Sequence, residues 1–182
     1  MFHLKSVPPL PPLAGAVATL ERAGIVCALG GSGLLAALGL AGAVRDWDLT
    51  TDAPLERMTP LFDAGAIATL GPQGIHADRK LVLGGGVVEI ISRLAFRSPA
   101  GVVRIPTVVS ERYYGIPLGS PEAWAIAYAL LERREKSEAL FGWLAAHGAD
   151  RPVLARLRAE PLPDELSRRL AGLETRGTSS NT

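Results

Sequence analysis

The chain has 182 residues, of which 48% are hydrophobic and 20% charged, so it can bury a core and a disordered chain is excluded. Its single cysteine, Cys27, excludes an internal disulfide. Because Cys27 lies in an apolar run, we expect it to be a small buried side chain in a reducing, cytoplasmic protein. The formal net charge is only +1, but it is unevenly distributed.

The first half of the chain alternates between helical and strand patterns. After a proline-rich arm, the spacing predicts a helix over 13–22, a strand over 25–29, a helix over 32–41 and a strand over 45–50. It then predicts a helix over 54–63, a strand over 66–70, a turn at 71–74 and a hairpin of strands 79–83 and 87–91. Residues 102–109 are β-branched, but Pro106 restricts them to an edge strand or a loop.

From Ser120 the pattern is purely helical. Ser120-Pro121-Glu122 is typical of a helix start, and the predicted helices cover 121–134, 136–147, a stretch from 150 onward and 164–173. We therefore expect an α+β fold, with a mixed β-sheet and flanking helices over residues 1–115. A small helical part over 116–175 and a disordered tail over 176–182 would follow.

A stretch of twenty residues, 25–44, carries no charge and is long enough to span a bilayer. It contains five glycines, and the Gly-Gly-Ser-Gly turn at 30–33 divides it, so a buried strand followed by a buried helix explains it better. The first residues do not have the layout of a signal peptide, because prolines interrupt any apolar segment. We expect no membrane partner.

The most informative motif is Gly30-Gly31-Ser32, followed by Arg45-Asp46-Trp47-Asp48. Alternate residues of a strand point to the same face, so Asp46 and Asp48 would project side by side. Two like charges this close are costly unless a cation holds them, and divalent metal ions do so well. The glycine turn offers backbone N–H groups to an anion nearby. Together these features predict a site for a metal-bound polyphosphate.

This pattern resembles the nucleotidyltransferase superfamily, the DNA polymerase beta-like fold that includes aminoglycoside nucleotidyltransferases, tRNA CCA-adding enzymes and toxin–antitoxin components of bacteria. The family pattern is a Gly-Gly or Gly-Ser turn that opens a helix, then Asp-x-Asp on a strand, then a third acid on a later strand. Here Glu89, flanked by valines and isoleucines, supplies the third acid. The resemblance covers residues 25–92 of the chain.

The resemblance implies a metal-dependent enzyme that moves a nucleoside monophosphate from a nucleoside triphosphate to a hydroxyl or phosphate acceptor. It implies that Asp46, Asp48 and Glu89 are catalytic and ligate two Mg²⁺ ions, with Mn²⁺ as an alternative. The nucleotide-binding residues that it implies are Gly30, Gly31, Ser32, Arg45 and Lys136. The acceptor stays open between RNA, a small molecule and a protein, and the apolar helical half leaves room for a homodimer.

The distribution of charge is compatible with such a substrate. Residues 1–78 carry four Lys/Arg against seven Asp/Glu, whereas residues 79–112 carry six against two. An acidic half beside a basic stretch would suit a phosphorylated ligand, although arginines on a solvated surface explain it equally well. Glu89 itself cannot be buried alone and must meet a cation, a partner or water.

Two other interpretations compete. Residues 31–36 match a G-x-G-x-x-A dinucleotide-binding fingerprint, with Asp52 about twenty residues on, but a Rossmann domain needs further strand–helix units. The second alternative is a non-catalytic regulator of the same fold, which would bind a nucleotide or a partner protein.

The aromatic side chains of the helical half, including Trp124 and Tyr128, are expected to pack between helices.

Overall fold

A computed structural model describes residues 7–62, 66–68 and 80–176. The helices are Leu10–Arg22 (α1), Gly31–Ala37 (α2), Leu55–Met58 (α3), Pro121–Leu130 (α4), Arg134–His147 (α5), Arg151–Arg158 (α6) and Asp164–Arg176 (α7). The strands are Ala28–Leu29 (β1), Trp47–Thr51 (β2), Ala66–Ala68 (β3), Lys80–Leu83 (β4), Val88–Ser92 (β5), Ala95–Ser98 (β6), Gly101–Arg104 (β7), Val109–Tyr113 (β8) and Ile116–Gly119 (β9).

The larger sheet is mixed. Its order is β3-β4-β5-β2-β1-β9-β8, with β2 parallel to β5 and β1 parallel to β9. The other neighbours are antiparallel, and β6 and β7 form a separate two-stranded sheet. This sheet with flanking helices and a helical C-terminal part confirms the predicted α+β fold. Among the described residues, no helix is long and apolar enough to cross a bilayer.

Strand β2 separates the core from the candidate site. Trp47 and Leu49 are fully buried on one face. The Trp47 indole N–H also donates to the Pro9 carbonyl at 3.1 Å, which ties the start of α1 to this strand. Because strand residues alternate, Asp48 projects from the opposite face.

Cys27 is buried as predicted, and burial raises the pKa of its thiol to about 12.

The helical part is joined through the buried carboxylate of Glu122, which is 4% exposed. One of its oxygens accepts a hydrogen bond from the Ser120 hydroxyl at 2.6 Å, and the other accepts one from the Asp150 backbone N–H at 2.7 Å. Ser120 caps α4 and Asp150 caps α6. Glu122 therefore links the starts of two helices that are distant in sequence.

Several elements differ from the sequence prediction. Strand β6 and the hairpin β8–β9 were not predicted, because β8 is largely exposed and β9 contains Pro117. The turn of this hairpin places Tyr114 and Gly115 at positive φ. The predicted boundary at 115/116 lies at the end of this turn, directly before β9 of the larger sheet. The division into two domains stays a prediction. The predicted helix over 54–63 is only the short α3 followed by a 3₁₀ turn at Thr59–Leu61.

Some predicted features lie outside the described residues. They are the end of the strand predicted over 66–70, the turn at 71–74, the first residue of the hairpin and most of the tail over 176–182. The rest of the predicted hairpin is confirmed, since β4 and β5 pair antiparallel around Gly84–Gly86. The four helices predicted in the C-terminal part are also confirmed.

We expect Glu122→Ala to lower the free energy of unfolding by about 1–3 kcal/mol, because it leaves a partly buried backbone N–H and the Ser120 hydroxyl without their acceptor. Chemical denaturation measures the change. The matched control is Glu135→Ala on the exposed surface of α5, which we expect to stay within about 0.5 kcal/mol of wild type. Equal losses in both variants would contradict a special role for the buried carboxylate.

Candidate active site

The site begins at the turn between β1 and α2. The Gly30 backbone N–H donates to the Asp48 carbonyl at 2.7 Å. An added Cβ at Gly30 would lie 1.9 Å from the Trp124 ring, and one at Gly31 would lie 1.9 Å from Asp48 Oδ2. Gly31 also has φ +55°, a conformation that favours glycine. Glycine at both positions lets the turn lie directly against the Asp48 carboxylate.

The predicted acids lie together. Asp48 and Glu89 are direct partners in the parallel register of β2 and β5, so their side chains project from the same face. Asp46 lies two residues before Asp48, and its side chain lines the same cavity as the other two. The structure therefore places all three carboxylates at one end of a central strand pair.

Two of the three carboxylates already have cationic partners. Lys80 Nζ lies 2.5 Å from Glu89 Oε2, and the two side chains are only 21% and 17% exposed. Arg45 Nε lies 3.3 Å from Asp46 Oδ2, but the Arg45 side chain is 89% exposed, so this pair contributes little stability. The sequence predicted that Glu89 must meet a cation, a partner or water, and the structure shows that it meets Lys80 of the neighbouring strand.

The acids line a cavity of about 460 Å³. Seven of the predicted site residues line it, and they are Gly31, Ser32, Arg45, Asp46, Asp48, Glu89 and Lys136. Gly30, also predicted, does not line the cavity but contacts Trp124 beneath the turn. The structure therefore gathers the predicted phosphate-side and metal-side residues around one space.

The opposite wall comes from α4, α5 and the loop between them. It includes the side chains of Tyr128, Leu131, Arg133 and Lys136. Lys136 Nζ lies 5.2 Å from the centre of the Tyr128 ring. Burial and the Arg133 charge lower the pKa of Lys136, while the Asp48 charge opposes them. Two cations thus face the acids across the cavity.

The electrostatics centre on Asp48. Burial raises the pKa of Asp48 to about 7, and the Asp46 and Glu89 charges act in the same direction. Lys80 and Arg133 act in the opposite direction but do not cancel the effect. The Asp48 carboxyl is consequently poised between its neutral and ionised forms near neutral pH. A bound cation would favour the ionised form.

The donor chemistry fits a divalent cation. Three carboxylates offer oxygen atoms, the ligands that Mg²⁺ prefers, and burial together with the Asp46 and Glu89 charges makes the ionised form of Asp48 costly without a cation. Within the part of the chain that the structure describes, however, no group of three acidic, histidine or cysteine side chains is arranged to enclose a metal ion. Glu89 is paired with Lys80 and Asp46 with Arg45, so a metal would compete with these ion pairs.

Comparisons with known proteins bear on this arrangement. No protein-family model and no curated protein matches the sequence significantly, whereas solved structures match the fold. A Thermotoga maritima protein, whose nucleotidyltransferase activity is itself inferred, is 26% identical over 76% of this chain and 93% of its own, with a TM-score of 0.51. The antibiotic-resistance factor ANT(2″)-Ia, in its solution structure, is 15% identical over 91% of this chain and 95% of its own, with a TM-score of 0.53. This chain has a nucleotidyltransferase-like fold.

A second structure of ANT(2″)-Ia, in complex with adenylyl-2″-tobramycin, has a TM-score of 0.55 at 13% identity and covers 92% of this chain and 98% of its own. At such low identity this likeness concerns the fold alone. The nucleotidyltransferase-like fold is nevertheless consistent across all three structures, and the two ANT(2″)-Ia matches extend over the helical part as well as the sheet.

The nucleotidyltransferase-like fold overturns the dinucleotide-binding alternative. Strand β1 pairs antiparallel with β2, whereas the Rossmann fingerprint requires a parallel strand–helix–strand unit. Asp52, the acid of that fingerprint, accepts a hydrogen bond from the Thr107 N–H at 2.9 Å and lies 3.3 Å from Arg156. It lines a second cavity of about 900 Å³, which contains none of the predicted site residues.

Sequence reasoning missed three members of the candidate site. Lys80 was not singled out, although a hairpin register that places Val82 opposite Glu89 puts Lys80 on the face of Glu89. Arg133 also lines the cavity, three residues before the predicted Lys136. Tyr128 was assigned to helix packing, and it does pack there while also lining the cavity.

We expect Gly31→Ala to lower stability by about 1–3 kcal/mol and to weaken Mg²⁺ binding, because the new methyl group would displace the Asp48 carboxylate and the backbone has φ +55°. Calorimetric unfolding with and without Mg²⁺ measures both effects. Gly15→Ala in α1 is the control, since nothing lies within 4 Å of a Cβ added at Gly15. Alanine there should raise the free energy of unfolding by about 0.5–1 kcal/mol. An unperturbed Gly31→Ala variant would show that the turn does not lie against Asp48.

We expect the stability of the metal-free protein to fall as pH rises from about 4 to 7, by at most about 4 kcal/mol. The native state holds the Asp48 proton up to pH about 7, whereas the unfolded chain releases it near 3.8, so the native state binds more protons between these values. In Asp48→Asn this slope should be lost. Unfolding free energies measured in chelator at several pH values test this, and an unchanged slope in Asp48→Asn would contradict it.

Proposed function

We propose that this protein is a metal-dependent nucleotidyltransferase that moves a nucleoside monophosphate from a nucleoside triphosphate to an acceptor carrying a hydroxyl or phosphate group. The observation that carries the proposal is the register of Asp48 opposite Glu89, with the Gly31 backbone against the Asp48 carboxylate. This arrangement brings an anion-binding turn to the acids that would hold a metal. The reported structures that this chain resembles are ANT(2″)-Ia and a Thermotoga maritima protein inferred to be a nucleotidyltransferase, and this likeness supports the same class of reaction.

In this proposal Asp46 and Asp48 are the principal ligands of Mg²⁺, or of Mn²⁺ in its place, and two ions would be held if Glu89 also contributes. When bound, the metal would neutralise phosphate charge and favour an ionised attacking oxygen. Glu89, held by Lys80, would orient the acceptor or take its proton. Ser32, Arg45 and Lys136 would bind the phosphates from the rim of the cavity.

The acceptor is proposed by class. One of the structures with this fold holds adenylyl-2″-tobramycin, so an aminoglycoside is a suitable small-molecule probe. RNA and protein hydroxyl groups are the other two classes. A buried lone cysteine suits a reducing compartment, and we propose that the reaction takes place in the cytoplasm.

A second candidate is nucleotide binding without transfer, and the ion pair between Lys80 and Glu89 favours it. A lysine at 2.5 Å occupies the carboxylate that would otherwise take a proton or share a metal. In that case the cavity would bind Mg²⁺ and a nucleoside triphosphate and release neither pyrophosphate nor a modified acceptor.

We expect Asp48→Asn to abolish the stabilisation that a nucleoside triphosphate gives in the presence of Mg²⁺, and to reduce transfer about a hundredfold or more. Thermal unfolding with each of the four triphosphates is the measurement. A ligand at 100 times its dissociation constant adds about 2.7 kcal/mol. Pyrophosphate release with tobramycin, transfer RNA or the protein itself as acceptor then tests transfer.

The control is Glu111→Gln, an exposed carboxylate of β8 that does not line the cavity. It should behave as wild type in binding and transfer. Full activity in Asp48→Asn would contradict the proposed site. Binding that depends on Mg²⁺ and Asp48, without pyrophosphate release for any acceptor class, would favour the non-catalytic candidate instead.

A further inference from the structure

One polar atom of a residue that lines the cavity is buried without a partner. The hydroxyl of Tyr128 is buried and, among the described residues, it is the one buried side-chain nitrogen or oxygen without a hydrogen bond. Tyr128 as a whole is only 1% exposed. Burying a hydroxyl without a partner costs free energy, and native structures seldom leave such groups unsatisfied. The missing acceptor therefore points to a group that comes from outside the chain.

Packing holds the Tyr128 ring at the cavity. Tyr128 lies one helical turn after Trp124 on α4, and the centres of the two rings are 5.5 Å apart. Trp124 in turn lies on Gly30 of the turn. Lys136 Nζ is 5.2 Å from the centre of the Tyr128 ring. The Tyr128 ring thus packs against Trp124 and lies near the Lys136 ammonium group.

The charges near Tyr128 define the chemistry of its missing partner. After burial, the Asp48 charge raises the pKa of the Tyr128 phenol most, Asp46 adds to it, and Arg133 opposes them. The phenol therefore stays protonated and can donate a hydrogen bond. Arg133 and Lys136 on the same wall attract an anion. An anionic oxygen that enters beside these cations would be the acceptor.

We propose that the Tyr128 hydroxyl donates a hydrogen bond to a phosphoryl oxygen of the bound nucleoside triphosphate, between Arg133 and Lys136, and that it stays unpartnered until the phosphate enters. The proposal rests on the proposed function, because it needs a polyphosphate in this cavity. It makes Tyr128 a binding residue rather than only a packing one.

Tyr128→Phe tests the proposal, because ligand-free stability and ligand affinity should change in opposite directions. Without ligand the variant should melt at the same temperature as wild type or higher, since it loses an unsatisfied hydroxyl. With Mg²⁺ it should bind tripolyphosphate and a non-hydrolysable ATP analogue about tenfold to a hundredfold more weakly. Isothermal titration calorimetry and thermal unfolding measure the two effects. Tyr114→Phe, at a side chain that is 78% exposed in the β8–β9 turn, is the matched control and should change neither.

Other outcomes overturn the proposal in distinguishable ways. A lower melting temperature with unchanged affinity would give the hydroxyl a structural role. Weaker binding of Mn²⁺ alone in Tyr128→Phe would mean that the hydroxyl acts through Asp48 rather than on the phosphate. If wild type and Asp48→Asn both bind no triphosphate, the proposed function itself fails. If wild type binds and Asp48→Asn does not, while Tyr128→Phe binds normally, only the role of Tyr128 is wrong.

Discussion

The electrostatic cost of gathering three carboxylates at one end of β2 and β5 is the constraint that organises this structure. Burial is the largest cause of the raised pKa of Asp48, and the charges of Asp46 and Glu89 add to it. Three cations from separate elements lie in the same cavity and oppose this negative charge. They are Lys80 from β4, Arg133 from the α4–α5 loop and Lys136 from α5. These cations oppose the negative charge of the acids in the cavity where we propose that the ligand binds.

The glycine turn depends on the same constraint. Because Gly30 and Gly31 have no side chains, the turn can lie between the Trp124 ring and the Asp48 carboxylate. The hydrogen bond from Gly30 to the Asp48 carbonyl fixes this position through the backbone. The acids and the turn are consequently one unit, and a side chain at either glycine would disturb both.

The sheet and the helical part contribute different halves of the cavity. The sheet supplies the acids and the glycine turn, whereas α4 and α5 supply Tyr128, Arg133 and Lys136. The buried Glu122 carboxylate fixes the start of α4 to the start of α6, and so helps to hold this wall in place. The geometry of the cavity therefore depends on contacts well away from it.

The sequence by itself determined the features that depend on local spacing. Alternation along a strand predicted that Asp46 and Asp48 share one face, and although β2 begins only at Trp47, both residues line one cavity. The apolar run around Glu89 indicated a central strand, and the helical pattern located the four C-terminal helices. Glycine spacing likewise located the turn. These features depend on neighbours in the chain, which a sequence lists directly.

Only the tertiary structure decided what faces the acids. Strand β9 lies beside β1 despite Pro117, and Lys80 of β4 forms an ion pair with Glu89. The approach of Arg133 and Tyr128 to Asp48 joins residues about 80 positions apart. Such contacts are set by sheet order and helix packing, which depend on the burial of the whole core. No local pattern around Tyr128 carries that information, whereas the position of Lys80 depends on the register of β4 on β5.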